Sequence, residues 1–102
     1  MRYFAKKDVT AVSVLDETLL IPLSGTTEAV RNVSRLNDSA AFYWNLLAAH
    51  TEDGITEETL LSCADAEFED ENGGKIGIAV LKPELEMLLS VLMKAGHIVA
   101  QP

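Results

Sequence analysis

The residues of this chain that could do chemistry are few and scattered. His50 and His97 each stand without a second histidine or a cysteine at ligand spacing, whereas a metal site needs several donors converging on one point. His97 directly follows Gly96 at an expected helix end, where the dipole mildly favours a cation, and this predicts a structural role. Cys63, the single cysteine, lies between Ser62 and Ala64 in a helical stretch and reads as a small core residue rather than a nucleophile. Asp65, Glu67, Glu69, Asp70 and Glu71 crowd one glycine-bounded segment and read as a solvated charge run. A calcium loop needs oxygen ligands at ordered offsets and a closing Glu, which the stretch from Asp70 to Gly74 lacks. Gly73 and Gly74 fit neither of the glycine patterns that cradle phosphate. The inventory predicts no catalytic residue, no metal and no cofactor.

A chain without reactive groups acts through its surface, and composition limits what that surface can meet. Eight Lys and Arg against sixteen Asp and Glu leave a net charge of −8, so the average field repels a phosphate backbone. Arg2, Lys6 and Lys7 form the one basic cluster, too small to predict nucleic-acid binding. No apolar run approaches the ~18 residues of a membrane span, and Met1 to Asp8 lacks the apolar centre of a signal peptide. With one cysteine there is no internal disulfide, and a reducing, cytoplasmic setting is the expectation. One hundred and two residues with 48% hydrophobic content suffice for one domain built on an unstapled core.

Local patterns supply the elements. Val9 to Leu15 is rich in β-branched residues, and Thr18 to Leu23 follows after the polar pair Asp16-Glu17, which predicts a hairpin. Pro22 cannot donate to a ladder and should avoid a central ladder site. A turn over Ser24 to Glu28 leads to a third strand over Val30 to Leu36. From Asn37 the period becomes helical. Asn37 or Asp38 can cap a helix carrying Ala40, Trp44 and Leu47 on one side and Phe42 and Leu46 on another, the pattern of a helix at the centre of a small domain. Thr56 can cap a second helix that buries Leu60, Leu61 and Ala64, and Asp65 to Gly74 is expected to be a loop anchored by Phe68. Pro83 suits the first position of a third helix, and Gly96 the position just beyond its end. Leu85, Leu88, Leu89 and Leu92 form its core stripe. Met87 and Val91 fall roughly 100 to 150° around the cylinder and call for a second contact surface. Ile98 and Val99 can close the domain as a terminal strand. The fold class expected is α+β and winged-helix-like, a three-stranded antiparallel sheet followed by three helices.

The segment Arg35-Leu36-Asn37-Asp38-Ser39-Ala40-Ala41-Phe42-Tyr43-Trp44-Asn45-Leu46-Leu47 resembles a signature of the PqqD-like family, the peptide-recognition elements of ribosomally made, modified peptides: Leu-Asn, small residues, an aromatic, Trp, then Leu-Leu. Leu19 to Gly25 is similar to the strand and glycine that precede it, Gly54 to Leu60 to the family's second-helix start, and Glu84 to Val99 to its final helix. The resemblance covers residues 9 to 99. It departs from the family in a longer, glycine-rich segment from Ala66 to Lys82, and in Lys82-Pro83-Glu84 where an Asp is usual.

The resemblance implies a non-catalytic adaptor. Family members bind a leader peptide as an extra strand on their third strand, with the third helix as the opposite wall. Mapped here, the strand edge comprises Arg31, Asn32, Val33, Ser34, Arg35 and Leu36, and the wall Met87, Leu88 and Val91. An exposed edge supplies backbone hydrogen bonds and apolar pockets supply selectivity. Arg31 and Arg35 either meet acidic leader residues or guard the edge against aggregation. The implied partners are a precursor peptide and a modifying enzyme such as a radical-SAM protein, a cyclase or a leader peptidase. Two other readings remain: a generic interaction domain, for instance a homodimer through the same edge, and a winged-helix DNA binder. The second needs a basic recognition helix, whereas Glu84 to Ala95 carries two acids and one Lys94.

Overall fold

The computed structural model describes residues 1–7, 9–14, 17–22 and 34–102. Its first strand, β1 (Arg2–Ala5), precedes the hairpin of β2 (Val9–Val14) and β3 (Glu17–Pro22), and β4 (Ser34–Leu36) follows. Then come α1 (Asp38–Ala49), the short β5 (Ile55–Thr56), α2 (Glu57–Glu67), α3 (Ile78–Lys94) and β6 (Ile98–Gln101). The fold is α+β, with the expected three-stranded antiparallel sheet in the order β2-β3-β4 and three helices after it. Val9 pairs with Pro22 and Val14 with Glu17, so Pro22 occupies the end of its strand, where a missing donor interrupts no interior ladder. On the other side of β3, Thr18, Leu19 and Leu20 pair with Leu36, Arg35 and Ser34. Leu20 and Leu36 turn inward to the core.

A second sheet, which the local pattern did not predict, joins distant parts of the chain in the order β5-β1-β6. Both pairings of β1 are antiparallel, Arg2 to Ala5 against Gln101 to Ile98 on one side and Arg2-Tyr3 against Thr56-Ile55 on the other. Phe4 explains Gly54: at φ +73° a side chain is strained, and a Cβ there would lie 2.7 Å from the Phe4 ring.

The caps are those expected from sequence. Asn37 Oδ1 accepts from Ala40 N at 2.8 Å, and Thr56 Oγ1 accepts from Thr59 N at 3.2 Å. Helix α1 buries Tyr43, Trp44 and Leu47, and its other apolar side, Phe42 and Leu46, packs at the core margin. Phe42 meets Phe68 edge to face at 5.0 Å, so Phe68 does anchor the segment after α2.

Two helix boundaries differ from expectation. Helix α2 continues through Asp65, Ala66 and Glu67, residues assigned above to a loop, and burial of Ala64 together with the bond from Phe68 N to Ala64 O closes its last turn. Helix α3 begins at Ile78, so Pro83 is inside it rather than at its first position. Leu81 accounts for the extension: it stands four residues before Leu85, continues the leucine stripe by one turn and is buried. Burying a leucine is worth about 1.5–3 kcal/mol, comparable with the ~3 kcal/mol penalty of an interior proline.

At the other end Gly96, at φ +79°, ends α3. His97 N donates to Leu92 O at 2.9 Å and Gly96 N to Met93 O at 3.1 Å, the paired bonds of a Schellman motif. His97 is 1% exposed and its carbonyl accepts from Lys6 N, so it joins the helix end to the chain after β1.

Because Pro83 lacks the donor that an interior helical residue supplies, Pro83→Ala should raise unfolding free energy by on the order of 1–3 kcal/mol in urea titration. A neutral result would mean that the helix starts at Pro83. Asn37→Ala should cost about 1 kcal/mol in the same assay.

Candidate functional site

The leucine stripe of α3 faces inward: Leu81, Leu85, Leu89 and Leu92 are all buried. With the helix held in that rotation, Met87 and Val91 point away from the core, 70% and 51% exposed, and Leu88 lies between the two faces, half-buried. Opposite them, β4 runs directly into α1. Leu36 ends the strand, Asn37 caps the helix, and Tyr43 follows within two turns.

Between these elements lies an open-sided groove of about 290 Å³. Leu36, Tyr43 and Leu92, all buried, form its floor, and Met87, Leu88 and Val91 form the α3 wall. Asn37, Ser39 and Ala40 line the α1 side, and Glu84 completes the wall one turn ahead of Met87 and Leu88. The lining is mainly apolar. Its volume is at the lower end of the ~300–1,000 Å³ typical of small-molecule pockets, a space suited to one or two side chains.

Four of the nine residues singled out from sequence, Leu36, Met87, Leu88 and Val91, line this groove together. Ser34 and Arg35 are in β4 beside it. Arg31, Asn32 and Val33, with the turn expected over Ser24 to Glu28, lie outside the described residues. Among the described residues the sheet ends at β4, whose one strand partner is β3, so its other edge has no strand on it.

Sequence reading did not place Glu84 and Tyr43 in the groove, although a signal existed. Glu84, Met87, Leu88 and Val91 repeat at i, i+3, i+4 and i+7, one helical face, and Ser39 and Tyr43 are four apart on α1. Tyr43 carries a further feature. Its side chain is 2% exposed, yet Oη has no hydrogen-bond partner among the described residues. Burial, and after it the Glu84 charge, holds its phenol pKa above the ordinary value of 10.0.

The two histidines are elsewhere: His50 Nδ1 lies 3.2 Å from the Asp53 carboxylate, and His97 sits in the core. The hydrogen bond from His50 is the main reason that the Asp53 carboxyl titrates below its usual range. Among the described residues no group of three or more His, Cys, Asp and Glu side chains is placed to hold a metal ion. No helix among them is long and apolar enough to cross a membrane.

No family model matches the chain, and no curated protein matches it. A solved structure described as TbiB1 in complex with the TbiA(beta) leader peptide shares the fold, with a TM-score of 0.67 at 18% identity over 97% of this chain and 98% of that one.

The chain has two tyrosines, and burial is the largest cause holding both pKa values up; for Tyr3 the charges of Glu57, Glu86 and Glu58 add to it. A spectrophotometric titration of phenolate should therefore lack any phase at the ordinary pKa. A folded-state pKa raised above the unfolded one gives stability that is complete below about pH 10 and is lost as pH rises through the folded value. Tyr43→Phe should leave the melting temperature unchanged or raise it, since removing an unpaired buried hydroxyl relieves its desolvation cost. A clear drop would reveal a partner for Oη.

Proposed function

We propose that this chain is a non-catalytic adaptor of the PqqD-like kind, which binds the leader of a ribosomally made precursor peptide and presents it to a modifying enzyme. The observation that carries the reading is the juxtaposition of two features: a β4 edge on which no strand lies among the described residues and, directly beside it, the groove walled by Met87, Leu88 and Val91. An extended peptide can use both at once. Its backbone hydrogen-bonds along the edge, and its alternate side chains, all on one face, drop into the groove.

Three further points support this reading. The Leu36-Asn37 to Leu46-Leu47 segment that resembles the family signature is also the segment that builds one side of the groove. The TbiB1 structure, which shares the fold, was solved with a leader peptide. The exposed apolar pair Met87 and Val91 gains a role that a plain surface helix would not give it.

On this reading Arg31, Asn32, Val33, Ser34 and Arg35 with Leu36 form the peptide-facing edge, and Arg31 and Arg35 meet acidic leader residues. The adaptor works in the cytoplasm and supplies no chemistry. The enzyme it serves is a radical-SAM protein, a cyclase or a leader peptidase, to which the occupied groove delivers the precursor.

The test is calorimetric titration of the full chain with short peptides encoded in reading frames adjacent to its gene. Micromolar or tighter binding is expected for one of them. Val91→Asp, at an exposed position that leaves the core intact, should weaken that peptide at least tenfold, on the order of 1.4 kcal/mol or more. Proline at Val33, just ahead of β4, should weaken it too, because proline removes a backbone donor without adding charge. Charge reversal at Arg31 and Arg35 that left affinity unchanged would remove both from the interface. Absence of binding, with a concentration-dependent dimer that Val91→Asp disrupts, would mean instead that a second copy occupies the edge.

A further inference from the structure

The groove has one charged lining residue, Glu84 on the α3 wall, and Tyr43 on its α1 side, whose covered hydroxyl has no partner among the described residues; the two are near enough for the Glu84 charge to act on the phenol. Glu84 is exposed, and the ion pairs among the described residues, Lys7 with Glu52, His50 with Asp53 and Lys75 with Asp65, do not involve it. Tyr43 lines the groove, and its Oη is covered, with no hydrogen-bond partner among the described residues. We infer that the groove seats a lysine or arginine side chain of the bound leader, its methylenes against Met87 and Val91, its cation at Glu84 and Tyr43 Oη as a second acceptor. This inference rests on the leader-binding reading above and adds the chemical class of the anchoring residue.

Charge and burial in the groove select among possible occupants. A carboxylate side chain would face Glu84 within the field of a protein whose net charge is −8. A wholly apolar side chain would fill the space but would cover Glu84 with nothing to compensate its charge and would leave the Tyr43 hydroxyl unpaired. A long basic side chain meets all three demands, because its stem buries along apolar surface while its head stays at the polar margin. The volume of about 290 Å³ suits one such chain. Met87, unbranched and 70% exposed, can adapt its side chain to the stem of such a residue. The raised pKa keeps that hydroxyl neutral, with free lone pairs, across the physiological range.

Selection of a displayed library of random short peptides on the full chain tests this directly. The expected result is a set of enriched peptides that share Lys or Arg at one position. Glu84→Gln should erase the preference and weaken the best wild-type peptide by about threefold to tenfold in calorimetry, the range of a partly exposed ion pair with an added charged hydrogen bond. Glu84→Lys should shift the preference towards Asp or Glu. Tyr43→Phe should weaken the same peptide without lowering the melting temperature, which separates a contact with ligand from a role in the core. Enriched peptides without a shared basic residue, or with affinity indifferent to Glu84→Gln, would overturn the inference and leave the leader reading intact. If no peptide is enriched whose binding Val91→Asp abolishes, both fall.

Discussion

The rotation of α3 about its own axis is the constraint from which the site follows. Leu81, Leu85, Leu89 and Leu92 are buried along one stripe, and each contributes about 1.5–3 kcal/mol by leaving water. Turning the helix by even a third of a revolution would expose several of them. The helix is therefore locked, and Met87 and Val91 are displayed on the flank that faces the end of β4. The Schellman closure at Gly96 fixes the far end, and the buried His97 carries the chain straight into β6. The groove wall is thus the outer face of a helix whose inner face is core.

Its other side is built differently. Leu36, Asn37, Ser39, Ala40 and Tyr43 belong to one stretch in which a strand ends and a helix begins. Pairing of Thr18 with Leu36 anchors the strand, and the Asn37 side chain caps the helix within the next turn. A strand edge and a helix N-terminus are thereby placed side by side over very few residues. The cost is local, a buried tyrosine hydroxyl without a partner among the described residues. Unsatisfied buried groups are uncommon in folded proteins, and this one belongs to a residue that lines the groove.

Several features could be read directly from the order of residues. Asn37 and Thr56 cap because a short polar side chain ahead of an apolar period can accept from the unpaired first-turn donors. Gly96 ends α3 because a left-handed residue is needed there. Other features could not. Pro83 looked like a helix start, since local rules place proline at the first turn, and burial of Leu81 overrode them. Asp65 and Glu67 looked like a loop because the charge run hid a helix still held by Ala64.

The sequence by itself determined what depends on neighbours a few residues apart: the hairpin, the caps, the leucine stripe and the excess of apolar residues on the last helix. Only the tertiary structure decided that Arg2–Ala5 is the central strand of a second sheet, joining Ile55-Thr56 and Ile98–Gln101. It alone brought Glu84 and Tyr43, 41 positions apart by number, into one groove. The physical reason is the same in both cases. Strand pairing and groove formation draw their energy from residues far apart in the chain, and which of many possible partners meet is settled by the one packing that buries the core stripes together.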